Sequence, residues 1–348
     1  MSSLTDFGGW RAALACLTRL EELDPQVAAA AIDEILSGDA TPAQIGGFLV
    51  GLAAKGAEPA EVVAMVDAML AHAGPLELPD VAATVDIVGT GGSRLRQDRA
   101  FNISTTACFV LAGAGVPVCK HGNRKASSSS GSTDVLEALG VTVELDGPAV
   151  AHCVEAAGVG FAFARVFHPA MRHAGPVRAE LGVPTVFNVL GPLSHPGRVT
   201  RQVIGVADPE LAPLVIDVLR RRGAPRAMVV HGSDGLDELT LSGPSFVWEL
   251  RDGEISESEV HPAHVGLSTV VVEDIGVGAP DDNAAVVREI LAGGGGARRD
   301  IVVLNAAAGL VVAGVVDDLT DGIEVAAESI DSGRAAACLE RLVTASAA

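Results

Sequence analysis

Three short stretches gather the residue types that hold oxyanions. The densest is KHGNRKASSSSGSTDVLEALG, Lys120 to Gly140, where Lys120, His121, Asn123, Arg124, Ser127 and Ser128 fall within nine positions. Cationic, amide and hydroxyl donors so closely spaced suit a phosphate, and a merely basic loop leaves the four serines unexplained. A second stretch, VDIVGTGG up to Gly92, places Gly89, Gly91 and Gly92 after a β-branched run. Glycines there let backbone N–H groups approach an anion with no Cβ in the way, although a tight structural turn accounts for the same residues. The third is FNIST, Phe101 to Thr105. Asn102, Ser104 and Thr105 either cap the helix that follows, or offer donors to a phosphate and a hydroxyl oxygen to Mg²⁺. None of the three matches GxGxxG or GxxxxGK[ST], which weakens dinucleotide and P-loop readings. Asp237-Glu238, after the apolar run AMVV, are hard oxygen ligands of the kind Mg²⁺ takes; taken alone, the pair reads as a solvated turn. Ser132 to Asp134 read as the cap of the next helix.

Each stretch needs an element to hold it. Residues 9–75 show apolar positions recurring at three and four, with Thr41-Pro42 opening a helix that closes at Gly56 and another beginning after Glu58-Pro59. From Pro79 the pattern changes. ATVDIVG predicts a strand, FNISTTACFVLAGAG a helix, VPVCKHGN a strand, SSSSGSTDVLEALG a helix and VTVEL a strand. Strands are also expected at QVIGVAD, RAMVVHG and SFVWEL, and helices at 209–222, 281–292, 300–313 and 321–344. Alternating strands and helices imply an α/β fold with a mainly parallel central sheet. Residues 168–193 carry helical spacing where a strand is due, so the chain is expected to cross back to the helical block there. The resulting division is a small all-helical domain, 1–78 plus 168–193, hinged to a larger α/β domain, 79–167 plus 194–348. A crevice between them lies beyond the carboxyl ends of the strands.

The composition limits the partners. Apolar residues make up 49% of the chain and charged ones 20%, a globular balance. Aromatics are 3% and Tyr is absent, so no platform for stacked bases is available. A net charge of −20 argues against nucleic acid and against an anionic membrane surface, though not against a phosphorylated small molecule in a local ring of donors. The five cysteines are scattered and lack CxxC spacing, so they read as buried fillers in a reducing compartment. The opening MSSLTDFGGWRAAL carries an early acid and no long apolar run, which predicts a cytoplasmic protein rather than a secreted one.

GTGG, FNIST, KHGNRxxSSxxGSxDxLE, FHPAMRxxxxVRxxLGxxTxFNxLGPL and GLDE follow one another in the order found in anthranilate phosphoribosyltransferases. The helical opening ILSGDATPAQIGGFLVGLAAKG resembles that family too, so the resemblance spans nearly the whole chain. It implies transfer of the phosphoribosyl group of phosphoribosyl pyrophosphate (PRPP) to the amine of anthranilate, with Mg²⁺, in tryptophan biosynthesis. It also implies a homodimer formed through the helical domain. By the same resemblance Gly89, Gly92, Ser93, Asn102, Ile103, Ser104, Thr105, Lys120, His121, Gly122, Asn123, Arg124, Lys125, Ala126, Ser127, Ser128 and Ser132 hold PRPP. Ser104, Asp237 and Glu238 hold magnesium, and Gly89, Asn123 and Arg178 contact anthranilate. Arg178 can grip a carboxylate with two parallel bonds, its plain alternative being a surface arginine. His121 either orients the amine or accepts its proton, or simply packs its loop.

The chain departs from that family at one loop. Where the family reads GTGGDG this sequence has Ser93 in place of the Asp, and the bridge 93–100 is longer and carries Arg94, Arg96 and Arg99 against Asp98. These arginines either fold over the pyrophosphate or sit in solvent. Three other functions stay open at this stage: a paralogue that phosphoribosylates another amino-aromatic acid, a pyrimidine nucleoside phosphorylase, and a non-catalytic binding protein.

Overall fold

The computed structural model describes residues 3–91, 101–124, 131–271, 275–276 and 278–348. After a short 3₁₀ turn come four helices, α1 (Gly9–Thr18), α2 (Pro25–Ser37), α3 (Pro42–Lys55) and α4 (Pro59–Ala71). The start of α3 follows from its first residues. Thr41 accepts the Gln44 N–H at 3.3 Å, the Gln44 side chain accepts the Thr41 N–H at 2.7 Å, and Pro42 presets the first turn.

The α/β part runs β1 (Val85–Gly89), α5 (Ile103–Gly113), β2 (Val118–Gly122), α6 (Ser132–Ala138), α7 (Gly147–Ala157) and β3 (Val159–Phe163). Then come α8 (Ala164–Phe167), α9 (Gly175–Leu181) and α10 (Val186–Leu193), followed by β4 (Arg201–Gly205), α11 (Ala212–Arg221) and β5 (Arg226–Gly232). The antiparallel strands β6 (Ser245–Arg251) and β7 (Glu254–Val260) precede α12 (Pro280–Leu291), α13 (Ala297–Ala313), α14 (Leu319–Asp331) and α15 (Arg334–Ser346). The seven strands form one sheet in the order β3-β2-β1-β4-β5-β6-β7, parallel from β3 through β5.

Successive residues of the central strands feed opposite cores. Val203, Met228 and Val230 join α5 and α13 on one face, where all of α5 is buried. Ile204, Val206 and Val229 join α2, α3, α4, α10 and α11 on the other. The returning segment therefore packs against the first four helices: Phe187 and Leu190 of α10 share a core with Phe48, Leu49 and Val66.

Two expectations fail, and one further strand was not expected. VTVEL is not a strand; Val141 and Val143 are buried in the core, but no strand among the described residues pairs with their backbone. The third parallel strand is VGFAF instead, an unbroken apolar run buried on both faces, which lacks the alternation that marks a half-exposed strand. The helix expected over 321–344 breaks at Ser332-Gly333, where Gly333 takes φ 75°. Edge strand β7, EISESEV, is mostly exposed and too polar to register as a strand in the sequence.

Candidate active site

The carboxyl ends of β1, β2, β4 and β5 point to one side, and the three oxyanion stretches meet there. At the end of β1, Thr90 N–H donates to Gly205 O at 2.8 Å and Gly91 N–H donates to Asp237 Oδ2 at 3.1 Å. The loop after β5 thus folds back across the ends of β1 and β4. The crossing is close: a Cβ on Gly89 would stand 2.2 Å from Asp237 Oδ2, and one on Gly205 would stand 1.7 Å from Asp237 O. At Gly205 the atom met is backbone, so only glycine fits there, whereas at Gly89 it is the end of a side chain. The next residue, Glu238, accepts the Ser104 N–H at 3.1 Å, in the first turn of α5. Lys120 Nζ donates to Ser104 Oγ at 3.3 Å and to Ile87 O. Asp237, Glu238 and Lys120 are all buried. The two acids that read as a solvated turn in isolation are therefore part of the cleft floor.

Asn305 on α13 fixes that loop. Its Oδ1 accepts the Leu239 N–H at 3.0 Å, and its Nδ2 donates to Leu239 O and Ile301 O, each at 2.9 Å. Asn102 accepts a bond from Asn283 Nδ2 at 3.0 Å, and Ile103 faces the core, so only its backbone is available. Among the described residues no group of three His, Cys, Asp or Glu side chains forms a metal site by itself. Two carboxylates and the Ser104 hydroxyl do supply hard oxygens, a donor set that suits Mg²⁺ once ligand oxygens join it.

A cavity of about 750 Å³ opens beside this floor. Gly89, Thr90, His121 and Asn123 line it from the strand ends, and Met69 with the 164–192 segment closes it from the helical side. Arg178 projects into it from α9. Its guanidinium lies 5.4 Å from the Phe187 ring centroid and donates to Asn188 Oδ1 at 3.4 Å. Burial lowers its pKa, and guanidinium stays charged regardless.

His121 is buried on the cavity wall, with ring centroids of His168 and His195 at 5.2 and 5.8 Å. Burial, then the neighbouring His168, His195 and Lys120, hold its pKa well below the ordinary value, so the ring is neutral. Among the described residues its Nε2 has no hydrogen-bond partner. His168, bonded to Ser194 O at 3.0 Å, is pushed down to about 4, chiefly by burial.

Not every expected residue faces the cleft. Arg124 makes a two-pronged pair with Glu137, at 2.7 and 2.6 Å, and lies over the Phe163 ring. Ser132 Oγ donates to Asn123 O at 3.2 Å and so braces the turn. Gly92, Ser93, Lys125, Ala126, Ser127, Ser128 and the whole 93–100 loop lie outside the described residues. Arg165 and Arg172 also line the cavity, and neither was singled out in the sequence; Arg165 follows a strand that the pattern hid.

The glycosyl transferase family helical bundle domain matches residues 11–73, and the a/b domain of the same family matches 81–336. An anthranilate phosphoribosyltransferase of an Arthrobacter species is 50% identical over 319 residues, covering 90% of this chain and 89% of its own length. The crystal structure of the Thermus thermophilus enzyme superimposes with a TM-score of 0.91 at 42% identity, over 97% of this chain and 99% of that one. The Saccharomyces cerevisiae enzyme has been solved with PRPP and Mg, at a TM-score of 0.86 and 28% identity, covering 97% of this chain and 98% of its own. It has also been solved with 4-fluoroanthranilate, at 0.85 and 27%, covering 97% and 99%. With both domains matched and near-complete coverage of relatives up to 50% identical, the chain belongs to the anthranilate phosphoribosyltransferases of the glycosyl transferase family.

Proposed function

We propose that this chain transfers the phosphoribosyl group of PRPP to the amine of anthranilate, releasing pyrophosphate and N-(5-phosphoribosyl)anthranilate, a step of tryptophan biosynthesis. The observation that carries the reading is the chain of contacts from Gly91 to Asp237, Glu238 to Ser104, and Ser104 to Lys120, which ties three separate anion motifs into one floor. PRPP would lie across Gly89, the Asn102–Thr105 turn, and Lys120 to Asn123, with Ser132 bracing the turn and Arg124 reached only by leaving Glu137. Gly92, Ser93 and Lys125 to Ser128 belong to the same proposal on sequence grounds. Ser104, Asp237 and Glu238 would hold Mg²⁺, which neutralises charge on the departing pyrophosphate when bound.

The acceptor would enter the cavity with its carboxylate on Arg178, placing the amine near Gly89, Asn123 and His121. An aromatic amine is neutral at physiological pH, so no base is needed before attack. As the C1–oxygen bond breaks, the nitrogen lone pair forms the new C1–N bond and the nitrogen then sheds a proton. An anilinium proton is acidic enough for a weak base, a role that neutral His121 on the cavity wall would fill. Position and charge complementarity supply the rest.

The domain division at 1–78 plus 168–193 against 79–167 plus 194–348 belongs to the same proposal, because the cavity is walled from both parts and closure between them would shield it. So does a dimer formed through the helical part, where Leu20 and Val50 are exposed; sedimentation velocity tests it. No helix among the described residues is long and apolar enough to cross a membrane. Purified protein given PRPP, Mg²⁺ and anthranilate is expected to extinguish anthranilate fluorescence. No loss with anthranilate, but turnover of a ring-substituted aminobenzoate, would redirect the acceptor assignment.

A further inference from the structure

The sheet is unevenly zipped. From Val85 to Gly89, β1 stays in register with β4, and from Val118 to Gly122, β2 stays in register with β3. Between β1 and β2, although every residue of both strands is described, the pairing stops after Val85 and Val118. A parallel ladder would next engage the backbone of Ile87, Cys119 and His121. Each of these groups bonds a side chain instead. The His121 N–H donates to Asp86 Oδ1 at 3.1 Å, Lys120 Nζ donates to Ile87 O, and His195 Nε2 sits 2.9 Å from Cys119 O. Gln202 on β4 donates from Nε2 to Asp86 Oδ2 at 3.3 Å and to Pro192 O at 3.0 Å, so the carboxylate is gripped from both flanks.

Asp86 is 0% exposed and Lys120 4%, beneath the point where the two anion turns leave the sheet. Two buried charges in the middle of a parallel sheet cost stability that valine pairs would not. A uniform ladder would hold the strands about 4.8 Å apart to their ends and bring the Gly89 and His121 turns together, leaving no room between them.

We propose that Asp86, working with Lys120 and His195, is a positioning residue that wedges β1 and β2 apart at their carboxyl ends, opening the slot between the Gly89 and His121 turns that receives the phosphorylated sugar. The wedge acts by shape and hydrogen bonding. Its kinetic consequence rests on the phosphoribosyl reading; its structural consequence does not.

Two variants separate shape from charge. Asp86→Asn keeps the length and the acceptor for the His121 N–H but removes the charge and sets an NH₂ against the Gln202 donor, whereas Asp86→Glu keeps the charge and adds a methylene. Asp86→Asn is expected to lower the melting temperature yet hold the KM for PRPP within about threefold, and Asp86→Glu to raise that KM by roughly tenfold or more with a smaller fall in kcat. The reverse order, with Glu near wild type and Asn impaired in KM, overturns the proposal. A crystal structure of Asp86→Val, or of Asp86→Ala should Val not fold, gives a readout independent of substrate. Strand pairing continuing past Val85 and Val118 supports the wedge, and a ladder that still stops there refutes it. Wild-type protein that fails to consume PRPP would remove the functional reading while leaving that structural test intact.

Discussion

Gly89→Ala puts one methyl group where the structure has no space for it. The new Cβ would stand 2.2 Å from Asp237 Oδ2 and 3.0 Å from its Cγ, against ordinary contacts of 3.4 Å and more. The carboxylate must therefore retreat by about an ångström, which also stretches its bond from the Gly91 N–H, now 3.1 Å. A shift of that size in a group aligned for reaction costs about 100-fold in rate, or roughly 2.7 kcal/mol of transition-state stabilisation. Folding should hardly notice, because the atom struck is the end of a side chain that can rotate; a cost under about 1 kcal/mol is expected. Gly205→Ala is the contrast, because its Cβ meets Asp237 O at 1.7 Å and the carbonyl carbon at 2.4 Å, so the backbone itself must move. That variant should lose about 3 kcal/mol or more of stability. The assay is kcat/KM for PRPP across a Mg²⁺ titration, run beside thermal melts. Gly89→Ala turning over within about threefold of wild type, or melting as low as Gly205→Ala, refutes the placement of Asp237.

Arg178→Lys removes the planar fork but not the charge, and is expected to raise the KM for anthranilate about tenfold with little change in kcat; Arg178→Ala should raise it further, as steady-state kinetics at saturating PRPP would register. Asp237→Asn and Glu238→Gln should each move the Mg²⁺ activation midpoint to higher concentration, and isothermal titration of Mg²⁺ with PRPP present should weaken in parallel. His168 gives a stability test with a defined sign. Its folded value near 4 lies below the ordinary 6.5, so between those limits the unfolded chain binds the extra proton. Stability is then level above about pH 6.5 and falls by up to about 3 kcal/mol as the pH drops towards 4. Urea unfolding at pH 7 and pH 5 should show a smaller drop for His168→Asn than for wild type, and an equal drop would contradict the burial assigned to the ring.

The sequence was readable where local chemistry and local structure coincide. A phosphate is bound by short runs of glycine, hydroxyl and cationic residues at strand-to-helix turns, so KHGNR, GTGG and FNIST could be marked without any fold. The α3 boundary at Thr41-Pro42 was equally plain, since a cap is set by a few neighbours. Long-range partners were not readable. Asp86 meets the His121 backbone 35 residues away and Gln202 at 116, and Glu238 meets Ser104 at 134, separations that leave no periodic trace. The same limit explains VTVEL against VGFAF. Alternation records exposure on one face, and a parallel strand covered on both faces, as VGFAF is even at the end of the sheet, has no exposed face to record. Arg124 was placed by its neighbours in the motif, but Glu137 one helical segment later claims its guanidinium.

A net charge of −20 and a site for a polyanion are compatible because the floor spends its acids on backbone donors. Asp237 and Glu238 each accept a bond from a main-chain N–H, those of Gly91 and Ser104 respectively. Held this way, the carboxylates present fixed oxygens rather than a diffuse negative field. The cavity wall meanwhile carries Arg165, Arg172 and Arg178 and a neutral histidine. Bulk charge governs what the protein meets at long range, where salt screens it within about 10 Å. Inside the cleft the arrangement of donors decides, and it favours an anion whose oxygens can bridge the acids through a divalent ion over one that approaches bare.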